Sequence, residues 1–308
     1  MTFVVGASAH GSPGVSTALQ LVAAAMGESS AVPVVVEADG AGGVLAARYE
    51  LALTPGFVTL AESLRKSEVP PLLDNAQRLP SGVACVPLSP SASAAGAQMR
   101  SAGPFLGPYL AESRHPVLLD AGTVVPDSKV IPALTAADLL LWFVRPTREE
   151  LLVLRHRLAE CTQPDNVAIV LVGGTPYNAE QVAEALEVQV LHTLPIDRRG
   201  AEAANLGGDD RFLRRSQLNR SCGQLASLIT QHTAPSRPPP PPPPPSPSPR
   251  PSPPTNNVGP LRGPAEPPSV EAPPPPPAAQ IDVSTPDNIF ASQEASEPEL
   301  VVWVNDED

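Results

Sequence analysis

A chain of 308 residues with a net charge of -12 and 42 prolines concentrated past residue 235 has less foldable length than its size suggests. Residues 236–308 carry -7 and the body before them -5, with Lys66 and Lys129 as the only lysines, so neither part has the broad basic surface of a non-specific DNA binder. Cys85, Cys161 and Cys222 are far apart and form no C-x-x-C pair, which excludes a zinc-ribbon or disulfide framework and fits a reducing compartment.

Phe3 to Val5 reads as a short buried strand, Gly6 to Thr17 (GASAHGSPGVST) as a glycine-bearing loop, and Ala18 to Met26 as an apolar helix. In that order they aim backbone N–H groups and the positive end of a helix dipole at one point, which suits a phosphate. Against the pattern G-x-x-x-x-G-K-S/T, Ala9 takes the first glycine, Gly14 the second, Val15 the lysine and Ser16 the hydroxyl. Two of four positions hold, and the same arrangement opens doubly wound folds that bind no nucleotide there. Ser16 and Thr17 serve equally well as helix N-cap residues.

Residues 32–36 form a β-branched apolar run ending in Glu37-Ala38-Asp39-Gly40, the pattern of a buried parallel strand delivering acids to its carboxyl end. Helices are expected at 44–49, 58–66 and 72–78, a strand at 82–87, and either a helix or an ordered loop at 89–101. A helix follows at 106–112. Residues 117–119 make a second apolar strand running into Asp120. Beyond it come a helix at 131–137, a strand at 139–144, a helix opened by Pro146-Thr147, a strand at 167–172, a helix at 179–186 and a strand at 188–194. In the last helix Leu218, Cys222, Leu225 and Ile229 recur at helical spacing, a core face. Strands alternating with helices across short connections predict an α/β fold with a doubly wound, mostly parallel sheet over residues 1–235.

From residue 236 to 308 a disordered, proline-rich acidic tail is expected. Its proline runs at 238–245 and 273–277 form stiff polyproline II spacers that also fit aromatic grooves. At 299–308 (ELVVWVNDED) a short apolar segment, Leu300 to Val304 with Trp303 inside it, lies between acids; it suits strand addition or groove filling and makes the tail the expected site for a protein partner. Late arginines, among them Arg198, Arg199, Arg211, Arg214, Arg215 and Arg220, read first as a solvated helix face, which leaves DNA binding open but not favoured. No apolar run nears the roughly 18 residues of a membrane span, and the chain ends acidic rather than in a basic amphipathic helix, so a cytoplasmic protein without membrane recycling is expected.

Together the loop HGSPGVST, the strand VVVEADGAGG, the strand VLLDAG, the stretch 137–146 (ADLLLWFVRP) and LPIDR at 194–198 resemble the ParA/MinD family of deviant Walker P-loop ATPases, in particular its divergent actinomycete-type members. The resemblance covers residues 2–232 and implies a P-loop NTPase-like fold, ATP with Mg2+ as cofactors, and a homodimer that sandwiches nucleotide and binds DNA, membrane or a partner protein. His10 stands in the place of the signature lysine and Val15 in that of the Walker lysine, so both lysines are missing. The resemblance implies cofactor-binding roles for His10, Gly11, Gly14, Ser16, Thr17 and Asp120, magnesium at Ser16 and Asp120, and a catalytic role for Asp39 near the γ-phosphate and attacking water.

Two functions follow. One is a nucleotide-binding protein of the chromosome-partitioning or cellular-positioning type, at most a slow ATPase because Val15 replaces the lysine. The other is a non-catalytic scaffold, a pseudo-ATPase acting through its proline-rich tail. A Rossmann oxidoreductase fits poorly, since the loop lacks G-x-G-x-x-G spacing.

Overall fold

Apolar side chains alternate along the central strands and divide the core into two layers. In β1 (Phe3–Ser8), Phe3, Val5 and Ala7 face one layer and Val4 the other; in β6 (Leu139–Val144), Leu140, Trp142 and Val144 face the first, and Leu139, Leu141 and Phe143 the second. With both faces covered, these strands need no polar side, hence the unbroken apolar run LLLWFV. The computed structural model describes residues 2–27, 32–161, 165–206 and 211–233. The tail, with its segment around Trp303, lies outside the described residues.

The remaining strands are β2 (Val34–Glu37), β3 (Gln77–Arg78), β4 (Ala84–Val86), β5 (Val117–Thr123), β7 (Val167–Val172) and β8 (Val190–Leu194). They join in the order β3-β4-β2-β5-β1-β6-β7-β8, parallel except for the antiparallel edge pair β3-β4. One layer holds α3 (Phe57–Arg65), α4 (Ala92–Ala111), α5 (Ile131–Thr135), α6 (Arg148–Glu160) and α7 (Ala179–Leu186); the other holds α1 (Val15–Gly27), α2 (Leu45–Arg48), α8 (Arg198–Leu206), α9 (Arg211–Arg215) and α10 (Gln217–Thr233). The expected doubly wound sheet is thus present. β1 sits at its centre with the chain leaving to both sides, so the ends of β1, β2 and β5 share one carboxyl edge, where such sheets place ligands.

Three local expectations change. Residues 72–78 are not one helix: a 3-10 turn covers Leu72–Asn75, and Gln77 and Arg78 pair with β4, Gln77 sending its Nε2 to the carbonyls of Ala52 and Pro55. Most of the stretch 89–101 and of the helix expected at 106–112 belong to a single helix, α4, which carries Pro104 and Pro108 inside it. Gly103 and Gly107 lie where a Cβ would strike the carbonyl of Lys129 and, at 2.5 Å, that of Pro132, so the helix presses directly on the segment entering α5. Finally, β5 does not stop at Asp120 but runs to Thr123, which puts the carboxylate inside the strand.

Candidate functional site

The loop between β1 and α1 turns on two glycines in left-handed backbone. Gly11 and Gly14 adopt φ of 65° and 99°, values open to glycine at little cost. The Gly11 carbonyl is pinned from below, accepting from the hydroxyls of Ser8 (3.4 Å) and Thr123 (3.3 Å). His10, Gly11, Ser12 and Gly14 are exposed along the crest. Thr17 donates to Asn205 Oδ1 of α8 (3.1 Å), so its hydroxyl turns away from the strand ends, whereas the Ser16 hydroxyl lies beside the Asp120 carboxylate. Gln20 fixes the first turn of α1 by donating to the Ser16 carbonyl (2.9 Å) and accepts from Tyr49 Oη (2.6 Å).

Val15, at the lysine position, is 6% exposed and packs in the layer that includes Val4, Leu19 and Leu118. A Cβ built on Gly6 would come within 3.1 Å of Val15 Cγ1 and 3.0 Å of Leu19 Cδ1. The position that a lysine would use to reach phosphate is therefore part of the core.

Three carboxylates gather below the loop. Glu37 and Asp120 are cross-strand neighbours in the β2-β5 register, and both are buried, at 2% and 3% exposure. Asp39, half-buried just past β2, accepts the Ala41 N–H (2.8 Å) and rests against Gly122, whose positive φ and missing Cβ leave room for it. Burial pushes Asp120 up to about 6; the Ser16 hydroxyl, the Gly122 N–H (3.1 Å) and Arg48 oppose the rise and Asp39 adds to it. Desolvation likewise raises Asp39 above the ordinary aspartate value, against hydrogen bonds from the Ala41 and Thr123 N–H groups.

Glu37 is the residue whose role the sequence hid. Its Oε1 accepts the N–H groups of Val44 (2.7 Å) and Leu45 (2.9 Å), and Oε2 accepts Leu88 N–H (3.0 Å). One carboxylate thus caps α2 and ties it to the exit of β4. Burial outweighs those three donors and moves its carboxyl up to about 7. Apart from being an acid at the end of an apolar strand, Glu37 has no sequence signal separating it from Asp39.

A stability prediction follows from the raised carboxyls. The folded state holds protons on Glu37 and Asp120 that the unfolded chain releases near its ordinary carboxylate values, so stability is greatest below those values and falls as pH rises through about 7. Urea unfolding at pH 5.5 and pH 8 should differ by a few kcal/mol, with the lower pH more stable, since each tenfold difference in proton affinity between the folded and unfolded chain is worth about 1.4 kcal/mol. Glu37→Gln should remove about two-thirds of that difference, because Glu37 titrates higher than Asp120; an unchanged pH slope would refute the assignment.

On the far side of the loop an apolar cleft of about 170 Å3 is lined by Pro13, Gly14, Val172, Leu194, Ile196 and Leu218. Asp197 shapes its rim by accepting the N–H groups of Gly200 (2.8 Å), Gln217 (3.0 Å) and Leu218 (3.2 Å), which together hold its carboxyl below the usual range. This is the stretch LPIDR that the sequence points to. The arrangement is graded along the sheet edge, with an apolar slot at Ile196, backbone amides at Gly14, and a hydroxyl-carboxylate pair at Ser16 and Asp120. Among the described residues no helix is long and apolar enough to cross a membrane.

No family model matches the chain. No curated protein matches it either. Solved structures do. A ParA family ATPase from Chlorobium tepidum TLS aligns with a TM-score of 0.62 at 16% identity, over 73% of this chain and 98% of that one. The septum site-determining protein MinD from Pyrococcus horikoshii OT3, complexed with Mg-ADP, aligns with a TM-score of 0.58 at 14% identity, over 76% and 98%. A plasmid partition protein from Borrelia burgdorferi B31, bound to AMPPNP, aligns with a TM-score of 0.54 at 11% identity, over 75% and 98%. At these identities the likeness is one of fold, and it spans nearly the whole of each solved chain: the described residues have the P-loop fold of the ParA/MinD ATPases.

Proposed function

We propose that this protein is a ParA/MinD-like nucleotide-binding protein of the partitioning or positioning type that binds ATP with Mg2+ and hydrolyses it slowly or not at all. The observation that supports the reading is the Ser16 hydroxyl beside the buried Asp120 carboxylate at the end of the glycine-bearing loop. A hydroxyl beside a carboxylate is a hard-oxygen pair that suits Mg2+, which takes one or two protein oxygens and fills its remaining positions with phosphate and water. Ser16 and Asp120 would hold the ion, the backbone N–H groups of Gly11, Ser12, Gly14, Val15 and Ser16 the phosphates, and the cleft at Ile196 the base. Mg2+ would supply charge neutralisation between the phosphate oxygens. Asp39, half-buried with a raised carboxyl, would orient water at the strand ends; the core side chain of Val15 would not meet charge developing on a transferring phosphoryl.

Isothermal titration of the full chain with ATP and Mg2+ tests this. Binding in the micromolar to submillimolar range is expected, lost without Mg2+ and reduced about tenfold or more in Asp120→Asn. Because Asp120 must ionise to hold the cation, affinity should also drop below about pH 6. No heat at millimolar ligand would sink the reading.

The alternative is a scaffold that has given up nucleotide and works through its tail. Val15 packed into the core favours it, since that position no longer reaches the loop mouth. It predicts that deleting residues 236–308 abolishes every partner interaction, and a truncated protein that keeps them all removes it.

A further inference from the structure

Arg145 has no part in the reading above. It follows β6, which lies beside β1 in parallel register with Phe143 opposite Ser8, so the residues after β6 emerge next to the first residues of the loop. Glu150, in the first turn of α6 and 6% exposed, accepts from Arg145 twice, its Oε2 from the backbone N–H (2.9 Å) and its Oε1 from Nε (2.5 Å). The Thr147 hydroxyl caps α6 by accepting Glu150 N–H (3.4 Å), which fixes the turn that carries the carboxylate. A Cβ built on Gly11 would lie 2.9 Å from Arg145 Nη2, so the guanidinium lies across the loop at Gly11. Its side chain remains 45% exposed, and no second carboxylate pairs with it among the described residues.

Such a guanidinium, locked by a buried acid through Nε with its two Nη groups unclaimed by any acid, is a fork for phosphate oxygens. Position along the loop decides which phosphate. The apolar cleft that suits a base borders Pro13 and Gly14, while Gly11 lies at the other end, pinned to Thr123 beside Asp39. A nucleotide laid with its base in the cleft brings its last phosphate to Gly11.

We propose that Arg145 binds the terminal phosphate of a nucleoside triphosphate in this loop, supplying the positive charge that positions 10 and 15 do not bring as lysines, with Glu150 as its positioning residue. The proposal rests on the nucleotide-binding reading given above. It separates triphosphate from diphosphate, because ADP has no phosphate at Gly11.

The test titrates the full chain with ATP and with ADP, each with Mg2+. In Arg145→Gln, ATP affinity should fall about tenfold to a hundredfold while ADP affinity changes less than about twofold. Arg145→Lys should recover part of the loss. Glu150→Gln, which frees the guanidinium without removing it, should weaken ATP alone by a smaller factor. Arg145→Gln leaves Glu150 buried and unpaired, so the double variant Arg145→Gln with Glu150→Gln, checked for an unchanged thermal midpoint, should keep the ATP-specific loss. Wild-type affinity for ATP in the double variant, or equal losses for ATP and ADP, would overturn the role of Arg145 and leave nucleotide binding standing. Absence of both ATP and ADP binding in the unmutated protein would overturn the nucleotide reading and this proposal with it.

Discussion

Replacing Glu37 with Ala is expected to destabilise the protein by about 3–5 kcal/mol, because three backbone donors lose their acceptor at once and each buried, unsatisfied N–H costs roughly 1–3 kcal/mol. Val44 and Leu45 open α2, and Leu88 lies after β4, so the loss also loosens the chain that carries Asp39 past the site. α2 has only four residues and makes no side-chain cap of its own, which leaves Glu37 as its anchor. Urea unfolding at pH 7 reads the effect, and hydrogen exchange at Val44, Leu45 and Leu88 localises it. A cost under about 1 kcal/mol would mean that the three donors find water without difficulty and that Glu37 is no anchor. Glu37→Gln should cost less than Glu37→Ala, since the amide oxygen still accepts while its NH2 faces a donor.

Restoring lysine at position 15 is the second large effect. Val15→Lys should lower the stability of the nucleotide-free protein by about 2 kcal/mol, as a buried apolar side chain worth roughly 1.5–3 kcal/mol gives way to one that must thread its ammonium out to the loop mouth. Gly6 and Leu19 leave little slack for the longer stem. With Mg2+ and ATP the sign reverses. A charge-assisted hydrogen bond to phosphate contributes about 1.5–3 kcal/mol, so ATP affinity should rise about tenfold to a hundredfold over the unmutated protein. Unfolding curves with and without ATP check both halves. A variant as stable as the parent without nucleotide would show that Val15 is no core residue. If affinity does not rise, the loop no longer places phosphate within reach of that position.

The strands were the most legible part of the chain, because a sheet covered on both faces needs continuous apolar runs and those runs stand out between glycines and acids. The runs ending near Asp39 and Asp120 also located the carboxyl edge on which the loop, Ser16 and both acids converge. α4 was not legible as one element. Its glycines and prolines lower helix propensity along its length, and only the close approach to Lys129 and Pro132 explains why glycine stands at 103 and 107. Gln77 and Arg78 read as part of a helix for a similar reason: two residues are too few to show a period, and their strand exists only because β4 offers an edge.

At the site, sequence spacing established a strand, a glycine loop and a helix, and with them the absence of lysine at positions 10 and 15. Those are local facts, set by residue type and order. What fills the absence is decided by contacts between segments far apart in sequence. Val15 belongs to the core because Gly6 and Leu19 close around it. Ser16 meets Asp120 because β5 lies beside β1. Arg145 reaches Gly11 because β6 flanks β1 on the other side and the buried Glu150 takes Nε. A sequence lists its charges, but desolvation and direction come only from packing, which is why the missing lysines were plain from the chain and the arginine laid over the loop was not.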